Sequence, residues 1–104
     1  MHRFSRTELL IGLDGLKKLS LSRIAVFGLG GVGSFAVEAL ARAGIGSLFL
    51  VDHDVVDITN INRQIHAFTD TVGEAKTYLM AQRIKRINPD ALVTVAKEFY
   101  CAKL

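Results

Sequence analysis

Three short apolar runs, at 23–27, 47–51 and 92–96, are rich in Ile, Val, Leu and Phe and have the length and composition of strands. Between them the composition turns helical. Residues 32–43 predict one helix, and a second starts at Gly73 or its neighbour and runs to about Ile87, where Asn88-Pro89-Asp90 stops it. A short helical turn is expected over 60–64. Near the amino end, apolar residues at 9, 10, 13, 16 and 19 follow a helical spacing interrupted by Gly12 and Gly15. This predicts two short helical pieces that pack on the domain or on a partner. The order is β-α-β-α-β, which right-handed crossovers wind into a parallel sheet. The expected fold class is therefore α/β, a Rossmann-like half with an amino-terminal helical segment. Residues 1–20 form the arm and 21–104 the nucleotide-binding unit, with no internal repeat or linker.

The junction between the first strand and first helix carries the clearest chemistry. Ile24 to Phe27 lead into glycines at 28, 30, 31 and 33. Gly28 permits a tight turn, Gly30 lets backbone approach a phosphate, and Gly33 allows close packing of helix on strand. The free amides at the helix start, with the positive end of its dipole, suit an anion. The second run ends at Asp52, placed to accept hydrogen bonds from ribose hydroxyls. Asp54 reads equally well as a second site residue or as a solvated turn residue. Nicotinamide, flavin and adenosine phosphates all fit such a turn, so an oxidoreductase domain and a nucleotide-binding or dimerisation module without chemistry remain alternatives here.

Downstream residues favour a polyphosphate. Asn60, Asn62, Arg63 and Gln64 precede the second helix, where a dinucleotide unit would enter its crossover directly. Arg63 offers a bidentate, permanently charged contact and Lys76 a point charge. His53 and His66 have no partner visible in the sequence and read as structural residues.

The chain resembles the adenylating enzymes that include the ubiquitin-activating enzymes and the bacterial activators of sulfur-carrier proteins for thiamine and molybdopterin synthesis. The resemblance spans nearly the whole chain. It rests on Arg6 in Arg3-Phe4-Ser5-Arg6, Gly28-x-Gly30-Gly31-x-Gly33, Asp52-x-Asp54, Asn60-x-x-Arg63-Gln64 and Gly73-x-x-Lys76. Asn62-Arg63-Gln64-Ile65-His66-Ala67 and Ala41-Arg42-Ala43-Gly44-Ile45-Gly46 look most like the branch that cyclises threonylcarbamoyladenosine in transfer RNA. The resemblance implies ATP and Mg2+, with Asp52 on the ribose, Asn60 and Gln64 positioning phosphates, and Arg63 and Lys76 stabilising charge at the α-phosphorus. Arg6 resembles an arginine inserted into the opposite subunit's site, which implies a homodimer. The implied partner is transfer RNA or a ubiquitin-like sulfur-carrier protein. The magnesium aspartate is expected beyond residue 104, in further strands that would make this chain the amino-terminal part of a longer enzyme. Alone, the fragment is expected to bind nucleotide weakly and to lack turnover. No residue within the chain is read as a metal ligand.

Composition sets limits on the rest. Half the residues are hydrophobic, the mean hydropathy is +0.32, and one small domain is the ceiling for 104 residues. No run approaches a membrane span, Met1-His2-Arg3-Phe4 lacks a signal-peptide core, and a cytoplasmic location is expected. Cys101 is the single cysteine, so an internal disulfide is excluded. The net charge of +3 tolerates an RNA partner without requiring one. Lys17-Lys18, Arg23 and Lys85-Arg86 are scattered like the cations of solvated helix faces, and no aromatic stacking motif is apparent.

Overall fold

The computed structural model describes residues 2–96; Cys101 lies outside the described residues. The elements run α1 (Ser5–Ser20), β1 (Arg23–Phe27), α2 (Gly31–Ala43), β2 (Ser47–Val51), α3 (Lys76–Ile87) and β3 (Leu92–Ala96). All three strands are parallel in the order β1-β2-β3, with Arg23 opposite Ser47 and Ser47 opposite Leu92. The Rossmann-like half expected from the apolar runs is thus formed.

Alternation along the strands decides which face is covered. Leu48 and Leu50 are buried with Val37 and Ala41 of α2 and Met80 and Ile84 of α3, while Phe49 between them is exposed. Both crossover helices therefore lie on the Leu48 side and pack against each other. Phe27, Phe49 and Leu92 stand on the opposite face, all exposed. No helix among the described residues is long and apolar enough to cross a membrane.

Two boundaries differ from the sequence reading. Gly12 breaks α1 as expected, with φ 76°, but Gly15 continues the helix. Residues 73–75 are not helical, because Val55 and Ala75 form an antiparallel bridge and the Val56 amide donates to Glu74. That extended pairing delays the start of α3 to Lys76. The turn expected at 60–64 begins as a 3-10 turn at Ile58–Asn60, closed by Asp57, whose carboxylate accepts from the Thr59 amide at 2.9 Å.

Candidate functional site: a clamped glycine turn

The strand-to-helix turn is held from several sides. Gly28 adopts φ +91°, which a side chain would strain, and its amide donates to the Val51 carbonyl at 2.8 Å. A β-carbon on Gly33 would collide with the Gly28 carbonyl, so this position tolerates only glycine. Gly30 is the N-cap of α2 and has no side chain to accept from the first helical amides. Those amides are available to an anion.

Leu29 links the turn to both flanking segments. Its amide donates to Asp52 Oδ2 at 2.6 Å, and Asp52 Oδ1 accepts from the Asp54 amide at 2.7 Å. Asp52 is 8% exposed. It therefore shapes the turn in addition to any ribose contact, for which each oxygen keeps a second lone pair. The Leu29 carbonyl accepts from His66 Nε2 at 2.7 Å. Because a carbonyl only accepts, Nε2 carries the proton, and Nδ1 is a buried acceptor with no hydrogen-bond partner. The sequence reading took His66 as a structural residue without finding its partner. Its partner lies 37 residues away, and the one available signal was its adjacency to the Arg63-Gln64 pair.

Burial holds the His66 imidazole below its ordinary pKa, so the folded protein favours the neutral ring. The sign follows: below about pH 6.5 the unfolded chain binds more protons, and stability falls by up to about 1.4 kcal/mol per pH unit. His66→Gln keeps a donor for Leu29 without ionising. Urea midpoints at about pH 7.5 and about pH 5.5 should diverge more for the natural protein than for this variant. Equal divergence would remove His66 as the cause.

The segment before α3 closes over the turn. A β-carbon on Gly31 would lie 3.5 Å from the Arg63 carbonyl, and one on Gly30 would lie 3.9 Å from Gln64 Nε2. Arg63 Nη1 donates to the Thr59 carbonyl at 2.9 Å and to Asn62 Oδ1 at 3.2 Å, and among the described residues it has no carboxylate partner. Gln64 is buried, and its Oε1 has no hydrogen-bond partner. Asn60 Oδ1 is taken by the Asp57 amide at 2.8 Å, which leaves Nδ2 as its free donor. Lys76 is 5% exposed, and its Nζ sits 4.0 Å from Asp54 Oδ2.

One chain of contacts thus joins Gly28, Gly30, Gly31, Asp52, Asp54, Asn60, Arg63, Gln64 and Lys76, with Gly33 beneath the turn. Arg6 is not among them. Phe4, two residues before it, packs near Gly44 at the far end of α2. With 13 residues in α2, that is about 20 Å from the glycine turn.

The turn thus joins a strand, a glycine-rich bend, an acidic strand end and two cations, and the family model of the ThiF family matches residues 4–103. The chain belongs to the ThiF family. It is 58% identical over 100 residues to tRNA threonylcarbamoyladenosine dehydratase of Bacillus subtilis strain 168, covering 96% of this chain and 39% of that protein. It is 41% identical to the sulfur carrier protein ThiS adenylyltransferase of Escherichia coli K12, covering 92% of this chain and 39% of that protein. The solved Escherichia coli tRNA N6-threonylcarbamoyladenosine dehydratase in complex with ATP aligns with a TM-score of 0.92 at 52% identity, over 93% of this chain and 40% of that one. The chain spans about two-fifths of the length of these relatives.

Proposed function

We propose that this chain forms the ATP-binding part of an adenylating enzyme that activates the carboxylate of threonylcarbamoyladenosine in transfer RNA for cyclising dehydration. The observation that carries the reading is Gly30–Gly31 packed against the Arg63–Gln64 segment, which sets free helix amides beside the backbone of an arginine that has no carboxylate partner among the described residues. The ATP-bound relative supports the choice of nucleotide. In this reaction the carboxylate attacks the α-phosphorus and pyrophosphate leaves. Ring closure on the mixed anhydride then releases AMP, so the oxygen lost in the dehydration departs on AMP. Arg63 and Lys76 stabilise the charge gathering on the phosphates, Asn60 Nδ2 and Gln64 Nε2 orient them, and Asp52 holds the ribose. Asp54 aligns Lys76.

Mg2+ enters this proposal with the nucleotide. Asp52, His53 and Asp54 have ligand atoms within 4.8 Å of one another, but they do not fit a magnesium site. Asp52 already accepts two amides, His53 Nε2 pairs with Asp54 at 3.1 Å, and Mg2+ prefers oxygen ligands in an octahedral set. We also propose a cytoplasmic homodimer, in which residues 1–20 form the arm that carries Arg6 and residues 21–104 the nucleotide-binding unit. Activation of a sulfur-carrier protein is the second reading, supported by the ThiS adenylyltransferase likeness. It shares the first half-reaction, and pyrophosphate exchange with each candidate substrate separates the two.

ATP should bind in preference to NAD, since Arg63 and Lys76 lie beyond the ribose aspartate where a triphosphate extends. Arg63→Ala and Lys76→Ala should each cost about 1.5 to 3 kcal/mol of ATP affinity by calorimetry. NAD binding as tight as ATP would contradict the adenylating assignment.

A further inference from the structure

Three cavities adjoin one another beside α3, and Arg83 lines all of them. The first, of 450 Å³, gathers Arg3, Arg42, Arg83 and Arg86 around Phe4 and Ile87. The second, of 700 Å³, continues from Arg83 and Arg86 past Gln82 and Tyr78 to Phe68 and His66. The third, of 270 Å³, joins Arg83 and Phe68 to Arg63 and Gln64 of the nucleotide site. Arginines that are far apart in sequence thus converge on one groove.

Their charge is only partly balanced. Glu38 accepts from Arg83 Nε at 2.6 Å, from Arg83 Nη2 at 3.0 Å and from Arg42 Nε at 3.0 Å. The Arg83 hydrogen bond holds the Glu38 carboxyl below the usual carboxylate range. Arg3 and Arg86 have no carboxylate partner among the described residues. One buried carboxylate therefore fixes two guanidiniums and leaves the other two free to meet anions. Beside them Phe68 and Tyr78 remain 52% and 54% exposed, and the Tyr78 hydroxyl is oriented by Gln82 Nε2 at 3.0 Å. Tyr78 and Arg86 are eight residues, about 12 Å, apart along α3.

Exposed rings interleaved with guanidiniums match the bases and phosphodiesters of an unpaired nucleic-acid strand. An acidic polypeptide would satisfy the arginines but would leave the two rings unused. We infer that this groove carries a single-stranded or loop segment of RNA, with phosphates on Arg3 and Arg86 and bases on Phe68 and Tyr78, leading the reacting nucleotide toward Arg63. The inference rests on the RNA-substrate reading above and adds the path that the RNA takes.

The test is binding of labelled transfer RNA to the protein across a salt series, with ATP affinity measured in parallel. The Arg3→Ala/Arg86→Ala double variant should lose about tenfold affinity per arginine, and the slope of log K against log salt should fall by about 1.4. Tyr78→Ala should weaken binding about tenfold with the slope unchanged. ATP affinity should be unchanged in both variants, which also reports their folding. RNA affinity unaltered in the double variant overturns the groove and leaves the RNA-substrate reading standing. If the natural protein binds ATP but no transfer RNA, that reading falls and the groove assignment with it. Competition by polyglutamate in place of RNA would assign the arginines to an acidic protein.

Discussion

Valine at position 30 is expected to abolish ATP binding, by about 100-fold or more, the equivalent of losing two hydrogen bonds to a charged group. The fold should be intact. Gly30 has φ −76° and ψ −152°, an extended backbone outside the left-handed region, and the nearest atom to an added β-carbon is Gln64 Nε2 at 3.9 Å. The branched side chain would therefore occupy the space through which phosphate reaches the α2 amides, without strain elsewhere. Gly33 is the contrasting position, because its β-carbon would collide with the Gly28 carbonyl and damage the turn itself. Circular dichroism and calorimetry on Gly30→Val separate the two effects. A folded variant that still binds ATP would contradict a phosphate cradle at this turn.

In the full-length enzyme, Arg6→Ala and Arg63→Ala are each expected to leave a nearly inactive protein, and mixing the two should restore up to about a quarter of natural activity. Half of the randomly mixed dimers are hybrids, and each hybrid keeps one intact site if Arg6 acts in trans. The position of α1 favours that arrangement over action in cis. Phe4 anchors the start of α1 beside Gly44, at the opposite end of α2 from the turn. Arg6 is exposed there, and Leu9 and Leu10 just beyond it are 84% and 86% exposed, an apolar surface suited to a second subunit. An arginine delivered across such an interface acts as an arginine finger and makes assembly a condition of catalysis. No recovery of activity, with hybrids confirmed by mass, would put Arg6 outside the partner's site.

Local features were legible in the sequence and long-range ones were not. The strands lie where the apolar runs predicted them, since each run is short, bounded by turn-forming residues and paired with its neighbours in register. The glycine turn was legible because each glycine answers a local demand, positive φ at Gly28 or close approach at Gly33. Gly15 misled because a glycine inside a helix costs only about 1 kcal/mol relative to alanine and stops nothing by itself. Gly12, with its positive φ, does stop it. His66 and the Leu29 amide on Asp52 depend on contacts across the fold, which no spacing rule reports. Arg86 read as a scattered solvated charge for the same reason, and its neighbours in the groove carried no signal in the sequence. Arg3, Arg42 and Arg83 come from different segments, and only the packing of α2 on α3 gathers them.

The double hold on Leu29 bears on the thermodynamics of ligand capture. With its amide fixed by Asp52 and its carbonyl by His66, the turn has already given up its conformational freedom during folding. A nucleotide then meets a rigid mould, and the favourable enthalpy of its phosphate contacts is not offset by the entropy of ordering a loop. Loosening either clamp would transfer that ordering cost from folding to binding, so the same contacts would give weaker affinity in a protein whose crystal or solution fold looked unaltered.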